Sequence, residues 1–386
     1  MTPLLSIVVP VHSIESYVEP CLRSLFSDGL PVPDGLPVEV IAIDDASTDS
    51  SLSVLSRYPV RTVSLPSRVG LGAARNLGLS LCSGTYVWFV DGDDLLPRSA
   101  LSSVVRCLSL DDPDVLLVGH ALTSGPDPSS APSVPYGPSS VRSCPSLLRV
   151  RQAAWNRIVR VDLLRRTGVL FPDGLYEDVP YSHLVLAAAS RVAVLPSVCY
   201  LYRSRVGSLT HSVSPGHFDV FTQYERLFAT LSTWRASPRL LARLHAVMLR
   251  HYVAILGAPS RVPPSLRRAF FDRMVLHDRA YRPVVGPPLP VSALAVRLGS
   301  YDAYRVGHLA KRVWSWARDG KDLRMTATEP PPDVVDDEVT DVLTGDEVVH
   351  VSPAAAELAE TLEHEHAPTF LADVPDWDVE DPLPSA

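Results

Sequence analysis

Four short apolar runs rich in β-branched residues alternate with segments of helical spacing up to Val90: LLSIVVPV (Leu4–Val11), VEVIAIDD (Val38–Asp45), VRTVSL and TYVWFV. Runs this short and this continuously apolar read as strands buried on both faces. Strands alternating with helices predict an α/β fold with a parallel, doubly wound sheet. In such sheets ligands gather beyond the carboxyl ends of the strands. Those ends are where the chain places Asp44 and Asp45, and again Asp91, Asp93 and Asp94. Acids also suit a solvated turn or a helix start, but a shared ligand accounts for both clusters together.

Between the strands, Ile14, Tyr17, Val18, Cys21, Leu22 and Leu25 recur at helical spacing. Ser16 and Glu19 are spaced for a capping box, with Pro20 making the helix start irregular. STDSSLSVLSRY and GLGAARNLGLSLC each lead into a further helix. A helix from about Ser99 and a strand over Asp114–Leu122 extend the unit, and Arg191–Arg203 is expected to supply a strand pair. Ser124–Ser146 is rich in Pro and Ser and reads as a mobile loop. From about Gly216 to Lys321 the pattern is helical, interrupted near Pro259 and Pro283. These shifts divide the chain into 1–215, 216–325 and 326–386.

Charge is segregated along the same divisions. Thr326–Ala386 holds seventeen Asp or Glu and no Lys or Arg, which leaves 26 acidic against 35 basic residues elsewhere. The tail is expected to be disordered. The basic body suits an anionic partner such as a nucleotide diphosphate, an anionic polymer or the inner face of a membrane. Its basic residues are dispersed and carry no recognition motif, so nucleic acid is not expected. No uninterrupted apolar run is long enough to span a bilayer; the best, around Ala246–Leu256, contains Arg250 and His251. The N-terminal MTPLLSIVVPVHS lacks a basic start and a cleavage site, which sets the expectation of a cytoplasmic protein. Five scattered cysteines without CxxC spacing are expected as free thiols.

Carboxylates at the ends of adjacent parallel strands suit a nucleotide with its metal. Asp44 and Asp45, followed by Ser47 and Thr48, can hydrogen-bond a base and ribose. Asp91-Gly92-Asp93-Asp94 offers hard oxygen ligands for Mn2+ or Mg2+, with Gly92 letting the acids that flank it face one ion. Such an ion relieves the cluster's self-repulsion. Arg75 is a candidate for the diphosphate or the base. GLGAARN is not a dinucleotide loop, because Arg75 stands where the third glycine belongs and the motif precedes its strong strand. Trp155 and Asn156 either pack in the core or line an acceptor cleft.

VVPVHSIESYVEPCLRSL, VIAIDDASTDSS, GLGAARNLGL and YVWFVDGDDLLP, in this order, resemble the motifs of family 2 glycosyltransferases of the GT-A fold. AAWNRIVRVDLLRRTGVLFPDGLYEDVPY is similar to the acceptor half of bacterial members, and LYRSRVGSLTH to the segment that closes it. The overall pattern is nearest to teichoic-acid and exopolysaccharide glycosyltransferases. The resemblance covers Leu4–His211 and implies a GT-A domain over 1–215, with a nucleotide-sugar half (1–105) and an acceptor half (106–215). It implies that Pro10 and Val11 line the nucleotide pocket and that Asp45 recognises the base. Asp91, Asp93 and Asp94 then form the DxD-type motif, with Asp93 the foremost metal ligand. Glu177-Asp178 matches the acidic pair in which the aspartate is the general base, and Glu177, Trp155 and Asn156 fall on the acceptor side. Arg203, Arg205, Ser208 and His211 match a loop that folds over the donor diphosphate in some members.

The implied activity is inverting, metal-dependent transfer from a UDP-sugar to a hydroxyl of a cell-envelope or extracellular polysaccharide or polyol-phosphate. Two alternatives stand beside it. A nucleotidyltransferase would share the acidic metal site, but VVPVHSIES lacks the glycine-rich, basic loop expected after its first strand. A non-catalytic scaffold would bind partners through the helical region and tail. The helical region is in either case a candidate for homo-oligomer or membrane contact.

Overall fold

Strand β1 (Leu5–Val11) is buried at all seven positions, as its unbroken apolar run requires. It pairs in parallel with β2 (Val38–Asp44) on one side and β4 (Tyr86–Phe89) on the other. The computed structural model describes residues 2–27, 38–123, 139–203, 212–284 and 291–308. The sheet has seven strands in the order β3-β2-β1-β4-β6-β5-β7. In it β3 (Arg61–Ser64) lies parallel to β2, and β6 (Arg157–Arg160) runs antiparallel between β4 and β5 (Val115–Leu122). β7 (Val192–Tyr202) is parallel to β5.

The α/β fold with a mostly parallel sheet is therefore as expected, with β6 as its reversed strand. The strand pair expected over Arg191–Arg203 is instead the single strand β7. Its register slips opposite Gly119, where Pro196 has no amide to donate and the chain bulges.

Alternate residues of β1 face opposite sides. Leu5, Ile7 and Val9 pack with α1 (Glu15–Phe26) and α4 (Ala100–Asp111), while Val8 faces α3 (Leu71–Leu81). A Cβ on Gly78 would lie 2.2 Å from Val8 Cγ1, so glycine lets α3 settle onto the sheet. The expected capping box is absent, because α1 starts at Glu15 and Ser16 lies inside it. The loop after β2 caps the helix instead: the Ile14 amide donates to Ser51 Oγ and the Glu15 amide to Asp49 Oδ2, both at 2.9 Å. α2 (Ser51–Leu55) follows from that loop.

Beyond β6 come α5 (Val161–Thr167) and α6 (Asp178–Ala188). The C-terminal helices are α7 (Asp219–Thr233), α8 (Pro238–Gly257), α9 (Arg267–Tyr281) and α10 (Val291–Leu298). Breaks near Pro259 and Pro283 separate α8 from α9 and α9 from α10, as the prolines predict. These helices share one continuous core with the α3 side of the sheet, including Phe221, Tyr224, Tyr252 and Phe270. α8 is long and apolar enough by composition to cross a membrane, but Leu244, Met248, Leu249, Tyr252, Ile255 and Leu256 are buried in that core. All five cysteines are free thiols. Residues up to Tyr304 form one compact unit and a second begins at Arg305. The acidic tail, most of the Ser124–Ser146 loop, and Arg205, Ser208 and His211 lie outside the described residues.

Candidate active site

The carboxyl ends of β1, β2 and β4 open on a cavity of about 910 Å³. Pro10 and Val11, at the end of β1, line it, joined by His12, whose Nδ1 meets the Asp45 carbonyl at 2.6 Å. The two acids after β2 divide their work. Asp45 lines the cavity, and its carboxylate accepts the amides of Val69 and Gly70 at 2.6 and 2.9 Å, fixing the loop that precedes α3. Asp44, named above as a nucleotide ligand, is fully buried and does not reach the cavity. It accepts Ser64 Oγ at 2.8 Å and the Ser47 amide at 3.3 Å, so it closes the strand end as a turn residue.

The acidic turn after β4 is held from several directions. Asp91 and Asp93 line the cavity. Asp94 does not: its carboxylate accepts the Tyr200 hydroxyl at 2.6 Å and the Arg203 amide at 2.7 Å. Burial, with Asp91 and Asp93 close by, raises the Asp94 pKa to about 8. Its expected place among the metal ligands is corrected accordingly, to a group that braces the turn. Arg203 serves the same end, donating to the Asp93 and Tyr17 carbonyls and lying over the Tyr17 ring. Gly92 is needed for a reason other than the one expected. A Cβ there would lie 2.7 Å from Ile14 Cδ1 and 3.0 Å from the Pro10 carbonyl, so glycine permits the turn to pack against β1.

Arg75 is buried and engaged by protein. It donates to Asp91 at 2.7 Å and to Glu177 at 2.6 Å, with its guanidinium over the Phe171 ring. These contacts make it a bridge between the acidic turn and the start of α6, and it also borders the cavity where a diphosphate or base contact was expected of it.

The segment before α6 brings the acceptor-side acids to the same cavity. Tyr176 adopts a positive φ of 63°, and Glu177 and Asp178 follow at the helix start. Glu177 is tied to Arg75, whereas Asp178 faces the cavity with no hydrogen bond among the described residues. Burial and the neighbouring Glu177 raise the Asp178 pKa to about 8, with Arg75 and Arg157 opposing. Trp155 is buried, stacks on Tyr200 at 4.5 Å and also lines the cavity. Asn156 satisfies the core reading alone. It is fully buried, its Oδ1 accepts Arg157, and its amide donates to the Arg151 carbonyl.

The donor set fits a hard divalent cation that keeps part of its shell for phosphate oxygens and water. Asp91 and Asp93 present carboxylates to the cavity, and among the described residues no group of three acidic, His or Cys side chains could hold an ion unaided.

Four residues to which the sequence reading gave no place in this site are brought to it by the fold. Arg157 lies entirely buried beneath it, donating to the carbonyls of Ala153, Ser182 and Arg151. Tyr176, His251 and Arg261 line the cavity, the last two from the C-terminal helical region. Arg157 and Tyr176 stand in the segment similar to the acceptor half, whereas His251 and Arg261 lie beyond every quoted motif and are brought in by tertiary packing.

A family model described as Glycosyl transferase family 2 matches residues 6–157. The chain is 26% identical over 281 residues to the uncharacterized glycosyltransferase EpsJ of Bacillus subtilis (strain 168), a match covering 69% of this chain and 80% of that protein. It is also 26% identical over 213 residues to poly(ribitol-phosphate) beta-N-acetylglucosaminyltransferase TarS of Staphylococcus aureus (strain MW2), over 52% of this chain and 35% of TarS. The crystal structure of S. aureus TarS 1-349 in complex with UDP-GlcNAc shares the fold at a TM-score of 0.64 and 21% identity, covering 80% of this chain and 91% of that one.

Proposed function

We propose that this chain is a family 2 glycosyltransferase of the GT-A fold and that it transfers a sugar with inversion from a UDP-sugar to an acceptor hydroxyl. One observation carries the reading. Asp178 opens on the same cavity as Asp91 and Asp93, and it has no hydrogen bond among the described residues, where Asp45, Asp91 and Glu177 are each engaged. A carboxylate in that state is suited to take the proton from an incoming hydroxyl.

Pro10, Val11, His12 and Asp45 form the wall proposed for the nucleoside. Asp91 and Asp93 would hold Mn2+ or Mg2+, which would neutralise charge on the departing diphosphate. Arg75 keeps Asp91 and the start of α6 in fixed relation, so that proton acceptor and leaving-group site move as one body. The solved TarS fragment holds UDP-GlcNAc in its complex, which supports UDP as the nucleotide. The name of TarS supports a polyol-phosphate or related cell-envelope polymer as acceptor. A cytoplasmic location with contact at the inner face of the membrane belongs to the same proposal and rests on the basic body of the chain.

Calorimetric titration with UDP, GDP and CDP, each with and without Mn2+, tests the donor site. UDP-selective, metal-dependent binding that disappears in Asp93→Ala is expected. Absence of nucleotide binding under every condition would return the scaffold reading to the lead.

A further inference from the structure

The cavity contains an arginine whose charge meets no acid among the described residues. Arg261 stands in the turn between α8 and α9, and its side chain lines the cavity. The turn itself is firmly built. The Ser214 amide donates to the Arg261 carbonyl at 2.9 Å, Arg267 donates to the Leu256 carbonyl at 2.6 Å, and Val262 is fully buried. The side chain, by contrast, makes no hydrogen bond or ion pair with any described residue.

The other cavity arginines differ. Arg75 is consumed by Asp91 and Glu177. Arg68 is exposed and lies one residue before the Val69–Gly70 amides held by Asp45, on the nucleoside side. Arg151 has a partner of its own and comes from the segment beneath the acceptor side. The groups that feel the Arg261 charge are Tyr176, just before α6, and the two histidines in contact with it, His217 and His251. Burial and, after it, Arg261 hold His251 down to about 4, so the imidazole stays neutral. The result is a half-buried guanidinium among neutral aromatic groups, beside the segment that presents Asp178. A cation withdrawn from water without a counter-charge is unfavourable until an anion arrives. The planar fork of a guanidinium matches the oxygens of a phosphate in two parallel hydrogen bonds.

We propose that Arg261 is a specificity residue that binds a phosphate group carried by the acceptor. The inference rests on the glycosyltransferase reading of the cavity and adds to it the residue that would recognise a phosphate on the acceptor. It also gives the C-terminal helical region a part in the site, since residues beyond the family match supply this contact.

Saturation-transfer NMR on the full chain, with UDP and Mg2+ present, tests the inference using glycerol 3-phosphate and glycerol as probes, while UDP is titrated separately. The wild type should bind glycerol 3-phosphate and not glycerol. Arg261→Ala should weaken glycerol 3-phosphate by about tenfold to a hundredfold, the range expected for one charged hydrogen-bonded contact. Should that variant not fold, Arg261→Gln gives the same readout. The inference is overturned if the wild type binds UDP but not glycerol 3-phosphate, if the variant binds it equally, or if UDP affinity falls in parallel, which would assign Arg261 to the donor. Failure of the wild type to bind UDP would instead bring down the donor-site reading in the preceding section.

Discussion

The Arg75 guanidinium donates to the Glu177 carboxylate at 2.6 Å, joining residues 102 positions apart in sequence. Its other terminal nitrogen holds Asp91, so one buried cation fixes the acidic turn after β4 to the start of α6. Removing it leaves two carboxylates facing each other without compensation. Loss of one partner from a buried ion pair costs about 3–5 kcal/mol, and the partial exposure of Asp91 favours the lower end. Arg75→Ala is expected to reduce unfolding free energy by about 3 kcal/mol in urea denaturation. A second substitution, Glu177→Gln, should recover part of that loss by removing one of the stranded charges.

The Tyr200 hydroxyl is shared between the Asp94 carboxylate and the Asp91 amide, at 2.6 and 3.2 Å. Tyr200→Phe keeps the stack on Trp155 and deletes both hydrogen bonds. Partners that orient metal-binding groups are typically worth about 10- to 100-fold in metal affinity. The variant is therefore expected to fold normally and to need at least about tenfold more Mn2+ for the same UDP affinity, as read by calorimetry across a metal series. An unchanged metal requirement would mean that Tyr200 serves packing alone.

Much of this arrangement is legible in the sequence, and what is not has a common cause. The strands announce themselves because burial on both faces demands unbroken apolar runs, and the acids at their ends mark the site. Which acid does what depends on partners far along the chain. Asp94 is drawn inward by Tyr200, and Asp44 by Ser64, while Asp45 and Asp93 remain at the cavity. Ser16 and Glu19 have the spacing of a cap, yet the loop carrying Asp49 and Ser51 reaches α1 first and takes that role. Asn156 reads as an acceptor ligand until Arg157 claims its side chain. His251 and Arg261 stand in no motif of the site, because their place at the cavity is set by how α8 and the turn after it pack in the core.

Gly92 gives a steric test of the same turn. The Cβ of Gly92→Ala would meet Ile14 Cδ1 at 2.7 Å and the Pro10 carbonyl at 3.0 Å. The isoleucine end can yield, but the carbonyl belongs to β1 and cannot move far. Overpacking of this kind costs about 1–3 kcal/mol, and relief requires the turn to shift away from the nucleoside wall. Weaker UDP binding with a still cooperative thermal transition is the expected outcome, and wild-type affinity would show that the turn has slack.

Asp178 ties pH dependence to both rate and stability. Its carboxyl is held at about 8 by burial and by Glu177. A general base works only when ionised, so acceptor-dependent kcat/KM should climb as pH rises through about 8, not through the ordinary aspartate range near about 4. The stability effect has the opposite direction. Because the folded-state value lies above the unfolded one, the contribution to folding is fully present below about 4 and is lost as pH rises through about 8. Asparagine is neutral throughout, so Asp178→Asn should melt like the wild type near pH ~4 and higher than it near pH ~9. The same variant should retain UDP binding while turnover drops by about 10²- to 10⁴-fold, the usual worth of a positioned base. Rate profiles over pH together with melting curves at the two extremes separate the contributions. A rate already maximal near pH ~5 would place the catalytic proton acceptor on an unshifted group and remove Asp178 from that role.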